Sequence, residues 1–451
     1  VAMFEEMLAL LETLPATSKS ANDDLRRHII ANCLFGMDVA TEAVRACRLR
    51  LARTAGDAHR PVRPLDLSRR IVCGDSLLGP AQDAAFDIVL ANPPYVSFGL
   101  RGNPAARKAW AAAIRQQYPR SAEYKLSTYA VFVDRCLSLT RPGGVCCCIT
   151  PDSYLLGRHF AKLRRRILAD CAIRALFLIE EDFWKGAVVG RPVIGVFRPG
   201  GPSGDVTTVR ARSLADLTAG RIESYAYPQA YFAGLPRSRF RLLFSAEDRR
   251  FVEAMERAAG RLGDVVSFAS GLIGRHGRAA IVADSSRGPT WRRGIDSGGD
   301  VLPYRVRYRG KYLNFAADVL KSGFRDARYD EPKLLLRQTG DRLIAAYDPD
   351  GLYCLNNVHV GNARDESVDV RLIVALLNSD LLNRYYRIIS LEAGRALAQV
   401  DIDVLEDLPF KRPSAADERE LLAVVGQLHG GAANTESTDR LERLVENAYF
   451  C

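Results

Sequence analysis

A doubly wound α/β sheet, followed by an α+β region, is the fold class that the sequence predicts. Three observations carry it. Strand and helix signals alternate through the first two hundred residues, the pattern of a parallel sheet. A Gly/Pro/Ser stretch, "PGGPSGD" (Pro199–Asp205), then interrupts the alternation. Beyond it the segments are shorter, more irregular and richer in arginine. At 451 residues the chain has room for two or three domains. With 48% hydrophobic and 26% charged residues it can bury real cores.

The elements follow in order. "CLFGMDV" (Cys33–Val39) is a short apolar strand that ends at Asp38, and "TEAVRACRLRLARTA" (Thr41–Ala55) is an amphipathic helix with Thr41 as its cap. "RIVCGDSLL" (Arg70–Leu78) is a second strand, ending in Asp75. "FDIVLANPPY" (Phe86–Tyr95) is a third. It runs into Asn92, Pro93, Pro94 and Tyr95. Proline has no backbone N–H and fixes φ, so two in succession stop a strand in a stiff, extended elbow. Helix "TYAVFVDRCLSLTRPGG" (Thr128–Gly144), closed by its Pro-Gly-Gly turn, strand "VCCCITP" (Val145–Pro151) and the basic helix Arg158–Cys171 follow. Ala172–Glu180 and Arg191–Pro199 read as closing strands. Past the interruption, "YRVRYRGKY" (Tyr304–Tyr312) alternates, so Arg305, Arg307, Arg309 and Lys311 are expected on one strand face. Arg371–Arg387 reads as a buried helix, and Ala415–Phe450 as a helical tail. The expected domains are 1–200, a linker 201–222, 223–412, and the tail 413–451.

The formal net charge is +10, a bias toward polyanionic partners, nucleic acid first. None of the ten cysteines form C-x-x-C pairs, and Cys146, Cys147 and Cys148 alternate faces within one strand, so they cannot share a metal. They read as small buried hydrophobes in a reducing compartment. The six histidines have no metal-ligand spacing. No metal is expected. With no apolar run of membrane-spanning length and no signal peptide, the expected location is the cytoplasm and no membrane partner is expected.

The elbow sits at the carboxyl end of a strand, where open α/β sheets bind ligands. An exocyclic amine on a nucleobase is a poor nucleophile, because its lone pair is delocalised into the ring. Two acceptors on its N–H groups favour a pyramidal nitrogen with that pair directed at an electrophile. The Asn92 amide oxygen and the Pro93 carbonyl are two such acceptors, held in place by the proline pair. Tyr95 offers a ring for stacking. An ordinary strand-ending turn is the plain alternative.

On "GMDVATEAVRACRLRL", "GDSLL", "FDIVLANPPYV", "STYAVFVDRCLSLTRPGGVCCCITPDSYL", "PKLLLRQTGDRLIAAYD" and "VALLNSDLLNRYY" the chain resembles the adenine-specific (N6) DNA methylases of the TaqI-like type. That group includes large single-chain restriction–modification enzymes. The resemblance implies a Rossmann-like sheet that binds S-adenosylmethionine, followed by a DNA target-recognition domain. It makes Asn92, Pro93, Pro94 and Tyr95 catalytic. It assigns Asp38 to the cofactor's ribose hydroxyls, with Met37 and Val39 beside its adenine and Asp75, Ser76 and Leu77 around the amino group. Asp38 also reads as a helix-capping acid, and Asp75 as an acid in a surface turn. A second stacking aromatic is implied in "EEDFWKGAVVG", as Phe183, with Trp184 the runner-up. The flipped-out target adenine would come from double-stranded DNA. Phosphate and base contacts would fall to Arg305, Arg307, Arg309 and Lys311, and to Arg275 and Arg278 in the Gly-rich "SGLIGRHGR".

One departure stands out. Residues 1–31 contain no glycine, so the family's Gly-rich cofactor loop and the central first strand before it are expected to be missing. A longer reading frame, to which Val1 in place of Met points, or a partner chain would supply them. A catalytically dead remnant is the third explanation. The rival functions are methylation of a glutamine amide in release factors, methylation of RNA guanine, and an inactive DNA-binding fragment of a split methylase.

Overall fold

The computed structural model describes residues 27–54, 66–79, 83–95, 104–123, 126–181, 190–323, 328–395, 398–431 and 435–450. The chain divides into two compact units, Val1–Cys148 with Arg198–Gly200, and Ile149–Phe197 with Gly201–Cys451.

In the first unit, β1 (Gly36–Asp38) and β2 (Ile71–Cys73) pair in parallel, Asp38 opposite Cys73. The helix Thr41–Thr54 packs its Val44 and Leu51 into a core with Ile29, Ile30, Leu34, Leu67 and Ile71. β3 (Phe86–Ala91) pairs in parallel with β4 (Thr140–Pro151), Val89 opposite Cys146 and Ala91 opposite Cys148. The register jumps between Phe86 and Ile88, where Arg141–Gly144 loops out with Gly143 at φ +78°. The preceding helix ends at Leu139, and the expected Pro-Gly-Gly turn follows it. Cys146 and Cys148 are buried, and Cys147 less so, as alternation requires. A second core gathers Leu77, Ile114, Tyr118, Ala122, Leu126 and Val131. Among the described residues the β1–β2 ladder and the β3–β4 ladder are separate sheets. Ile88 and Leu90, on one face of β3, remain 51% and 55% exposed.

The second unit opens with the end of β4 and with β5 (Cys171–Ile179), β6 (Pro192–Pro199) and β7 (Asp205–Ala211). β5 and β7 are parallel, and β8 (Glu223–Pro228) lies antiparallel on β7. The stretch 201–222, expected as a linker, therefore contains a sheet strand and the helix Leu214–Thr218. The β-branched run Val206–Val209 drives this, with Val206 and Thr208 fully buried. An antiparallel sheet follows in the order Val266–Ser270, Val358–Ala363, Lys333–Arg337, Ala345–Asp348. Beside it a smaller sheet holds Val282–Ala283, Tyr312–Asn314, Trp291–Ile295 and Tyr353–Cys354. The expected buried helix is two, Val370–Asn378 and Asp380–Ser390. They break at Ser379, whose hydroxyl accepts from Leu382 N at 3.2 Å as an N-cap. The tail forms helices Ala415–His429 and Thr435–Phe450. Among the described residues no helix is long and apolar enough to cross a membrane.

Buried charges fix this unit. Lys333 and Asp348, 0% and 1% exposed, pair at 2.5 Å across adjacent strands. Arg164 is fully buried, and its guanidinium donates to the carbonyls of Tyr154, Gly157, Arg237 and Ser238. Asp407 takes both Arg239 and Arg261, and Asp152 holds Arg395 at 2.8 Å.

Candidate functional site

The elbow leaves β3 at Asn92 as the prolines dictate. Asn92 and Pro94 are exposed, Pro93 is buried and Tyr95 half-buried. Two residues from the helix Thr128–Leu139 brace it. The Thr128 hydroxyl donates to the Pro94 carbonyl at 2.9 Å. The buried Tyr129 ring meets Tyr95 edge-on, with centroids 6.5 Å apart. Neither residue is among those expected from the sequence to take part in the site. A hydroxyl and an aromatic at the start of the helix Thr128–Leu139 were the available signal.

The Tyr95 hydroxyl donates to Asn92 Oδ1. Burial, with the Cys148 thiol nearby, pushes the Tyr95 pKa up to about 12, so the ring stays protonated and keeps donating at neutral pH. Asn92 thus presents an exposed amide whose oxygen is held in place by a neighbouring phenol. Both acceptors expected of the elbow, Asn92 Oδ1 and the Pro93 carbonyl, come from consecutive residues of one rigid segment.

Asp38 and Asp75 end or follow adjacent strands, and Gly74 N donates to the Asp38 carbonyl at 3.0 Å. Asp38 is exposed, and its Oδ1 accepts from Ala40 N at 2.7 Å, bracing the entry to the helix Thr41–Thr54. Its second oxygen has no partner among the described residues. Asp75 is more committed: Oδ1 accepts from Leu77 N at 2.8 Å and Leu78 N at 3.2 Å, and Oδ2 from the Trp110 indole at 3.4 Å. Leu77 is buried in the protein core, and its carbonyl takes the Tyr118 hydroxyl at 2.6 Å. The Ser76 carbonyl takes Arg135 at 3.1 Å. Met37 is half-buried, with its sulfur against Gly74 and Gly79. Val39 is 70% exposed. Phe183 and Trp184 lie outside the described residues.

The arginine-rich candidates are held more tightly than the sequence suggests. Residues 304–311 do not form one strand. Arg305–Val306 pairs with Val301–Leu302 and Tyr304 makes a single bridge to Ala346, while Tyr304 at φ +68° and Gly310 at φ +76° bend the chain on either side. Buried Asp300 draws in both Arg307 and Arg309, at 3.0 and 2.7 Å. Lys311 pairs with Asp284, and Arg278 with Asp296. Arg275 donates to the carbonyls of Asp318 and Leu320, both at 3.2 Å. Arg305 is exposed with no carboxylate partner among the described residues. Gly271 in "SGLIGRHGR" is required by the protein itself, since a Cβ there would strike the backbone carbonyls of Leu355 and Cys354.

Comparison with known families accounts for most of these parts. Residues 32–184 match the Eco57I restriction-modification methylases, and residues 295–410 match the TaqI-like C-terminal specificity domain. Residues 32–184 are thus similar to restriction–modification methylases and residues 295–410 to a TaqI-like specificity domain. Comparison with curated proteins gives no match. Among solved structures it is similar to the type IIL restriction-modification enzyme MmeI in complex with DNA, at TM-score 0.61 and 12% identity over 93% of this chain and 64% of that one. It is also similar to a nuclease-deletion mutant of the type ISP enzyme LlaGI with a DNA substrate mimic, at TM-score 0.59 and 10% identity over 95% and 43%. A DrdV–DNA complex gives TM-score 0.53 and 12% identity over 95% and 53%. At such identities the likeness is one of fold, and the chain spans less than two thirds of each of these structures.

Proposed function

We propose that this chain carries the methyl-transfer and target-recognition parts of a DNA-modifying enzyme of a restriction–modification system, and that its substrate is the N6 amine of adenine in double-stranded DNA. The observation that carries the reading is the braced elbow, with exposed Asn92 beyond β3, buried Pro93 and the Thr128 tie to Pro94. S-adenosylmethionine would supply a methyl group on a sulfonium sulfur, whose C–S bond breaks, with its electron pair going to sulfur, as the N–C bond forms. Asn92 Oδ1 and the Pro93 carbonyl accept from the two amino protons and orient the nitrogen lone pair; one of those protons leaves to solvent after transfer. The incoming amine replaces the Tyr95 hydroxyl on Asn92 Oδ1, which frees the Tyr95 ring to stack on the flipped base.

The residues fit the cofactor unevenly. Asp38 fits the ribose, being exposed with one carboxylate oxygen that has no partner among the described residues. Asp75, Ser76 and Leu77 are engaged with protein partners, so their part is to shape the turn beside β2. In this reading the sheet is Rossmann-like, and a strand that is not among the described residues lies between β1 and β3. The exposed Ile88 and Leu90 support that reading. A preceding segment or a partner chain would bring that strand together with the Gly-rich loop.

The test is transfer of labelled methyl groups to unmodified duplex DNA, followed by digestion to nucleosides. Label in N6-methyladenine is expected. Label in N4-methylcytosine would overturn the choice of base, and no label in DNA while protein or RNA supplied in parallel takes it up would overturn the DNA reading.

Asp38→Ala provides a separate check on the cofactor. Losing a charge-assisted hydrogen bond is expected to weaken S-adenosylmethionine binding about tenfold or more. Calorimetry measures this directly. Unchanged affinity would leave Asp38 only its role at the helix entry.

A further inference from the structure

The recognition unit treats its arginines in two ways. Arg278, Arg307, Arg309 and Lys311 are each ion-paired with an aspartate, Arg307 and Arg309 sharing Asp300. Three other arginines, close by in the sequence, have no carboxylate partner among the described residues and lie instead on aromatic rings. The Arg287 guanidinium carbon is 5.4 Å from the centroid of the Trp291 ring, Arg293 is 4.6 Å from Tyr308, and Arg292 is 5.0 Å from Phe315. All three arginines are exposed.

The strand register sorts them. Trp291 and Arg293 are two residues apart on one strand, so they share a face, opposite Asn314 and Tyr312 of the neighbouring strand. Arg287 lies over Trp291 and Tyr308 lies against Arg293, so both extend that face. Arg292 points the other way and donates to the Pro289 carbonyl at 2.6 Å. One face of the small sheet therefore carries two unneutralised guanidiniums, each laid against a ring. The ring holds the flat group at the surface, where its exposed side can meet a phosphate's paired oxygens; Arg293 also donates to the Tyr308 hydroxyl.

We propose that the Arg287–Trp291–Arg293–Tyr308 face is where this unit grips the phosphate backbone of double-stranded DNA. The inference rests on the DNA reading above and deepens it. It moves the phosphate contacts from Arg307, Arg309 and Lys311, which are ion-paired with Asp300 and Asp284, to Arg287 and Arg293, which lie outside the expected set. Arg287 and Arg293 both precede residues 295–410, the stretch that matches the specificity-domain family. Asp284 also feels Arg287, but its carboxylate is already bridged by Lys311.

The experiment measures binding of the whole chain to a mixed-sequence DNA duplex by fluorescence anisotropy across a salt series. Wild type is compared with the doubles Arg287→Gln/Arg293→Gln and Arg287→Lys/Arg293→Lys, and each variant's thermal unfolding is recorded alongside. Each phosphate contact contributes about 0.9 to the slope of log affinity against log salt. The glutamine variant is expected to lose about 2 from that slope, and at least about tenfold in affinity at low salt. The lysine variant should keep the slope and lose affinity modestly, because the charge remains while the planar fork is gone. Wild-type binding with both variants unchanged would overturn this surface and leave the DNA reading standing. Failure of wild type to bind any duplex would overturn both.

Discussion

Asn92→Ala is expected to abolish methyl transfer to DNA, by about 10³-fold or more, while the protein still folds and still binds duplex. The size follows from losing a preorganised polar group aimed at the reacting centre, which typically costs about 10²–10³ in turnover. Here the same change also removes the partner that holds the Tyr95 hydroxyl. Asn92 is exposed and caps no core, so thermal unfolding should move little. Tyr95→Phe separates the two effects: it keeps the stacking ring and deletes only the phenol, and most activity should survive. The measurement is single-turnover transfer of labelled methyl groups, with duplex binding read in parallel. Activity of Asn92→Ala within a few-fold of wild type would remove the elbow from the chemistry.

The largest effect on stability is expected from Lys333→Met. Lys333 and Asp348 are enclosed together: Lys333 Nζ also donates to the Tyr329 carbonyl at 2.5 Å, and Asp348 also accepts from Asp350 N at 3.0 Å and Leu352 N at 2.8 Å. Removing one ion of such a pair leaves the other charged, buried and without its partner, a loss of about 3–5 kcal/mol. Lys333→Met is expected to lower the denaturant midpoint sharply, or to leave the second unit unfolded. The double change Lys333→Met/Asp348→Leu should recover much of the loss, since an apolar pair of similar volume carries no desolvation cost. Equilibrium denaturation of the three proteins gives the comparison. A single variant as stable as wild type would mean that water reaches the pair.

What the sequence made legible divides along physical lines. β3 and its elbow could be read because an apolar run meeting two prolines has few other outcomes. The cysteine strand could be read because alternation has a fixed period of two. The stretch Asp205–Ala211 could not, because the Gly/Pro/Ser signal just before it resembles a linker while the deciding fact, burial of Val206 and Thr208 beside β5, is tertiary. The break at Ser379 was present in "LLNSDLL" as an asparagine and a capping serine. Continuous apolar periodicity on both sides concealed it. Residues 304–311 misled because charge alternates there as it would on a strand. Nothing local indicates that Asp300, several residues upstream, will gather two of those arginines. The brace on the elbow was hidden for the same reason: Thr128 and Tyr129 are distant in sequence and adjacent in space.

The division of the chain into units bears on how new specificities could be built. The unit that holds the recognition region also holds residues 149–197, and its ties run through buried or partly buried groups: Asp152 to Arg395, and Arg191 to the carbonyls of Leu391 and Ala393 at 3.2 and 2.7 Å. A chimera spliced at the glycine-rich stretch near residue 200 would separate each of these partners and leave Asp152 without its arginine inside the protein. If the proposed DNA surface holds, exchange of recognition modules is expected to succeed with junctions placed inside the unit, around the small arginine-bearing sheet and its loops, so that a graft changes that surface and inherits the scaffold intact.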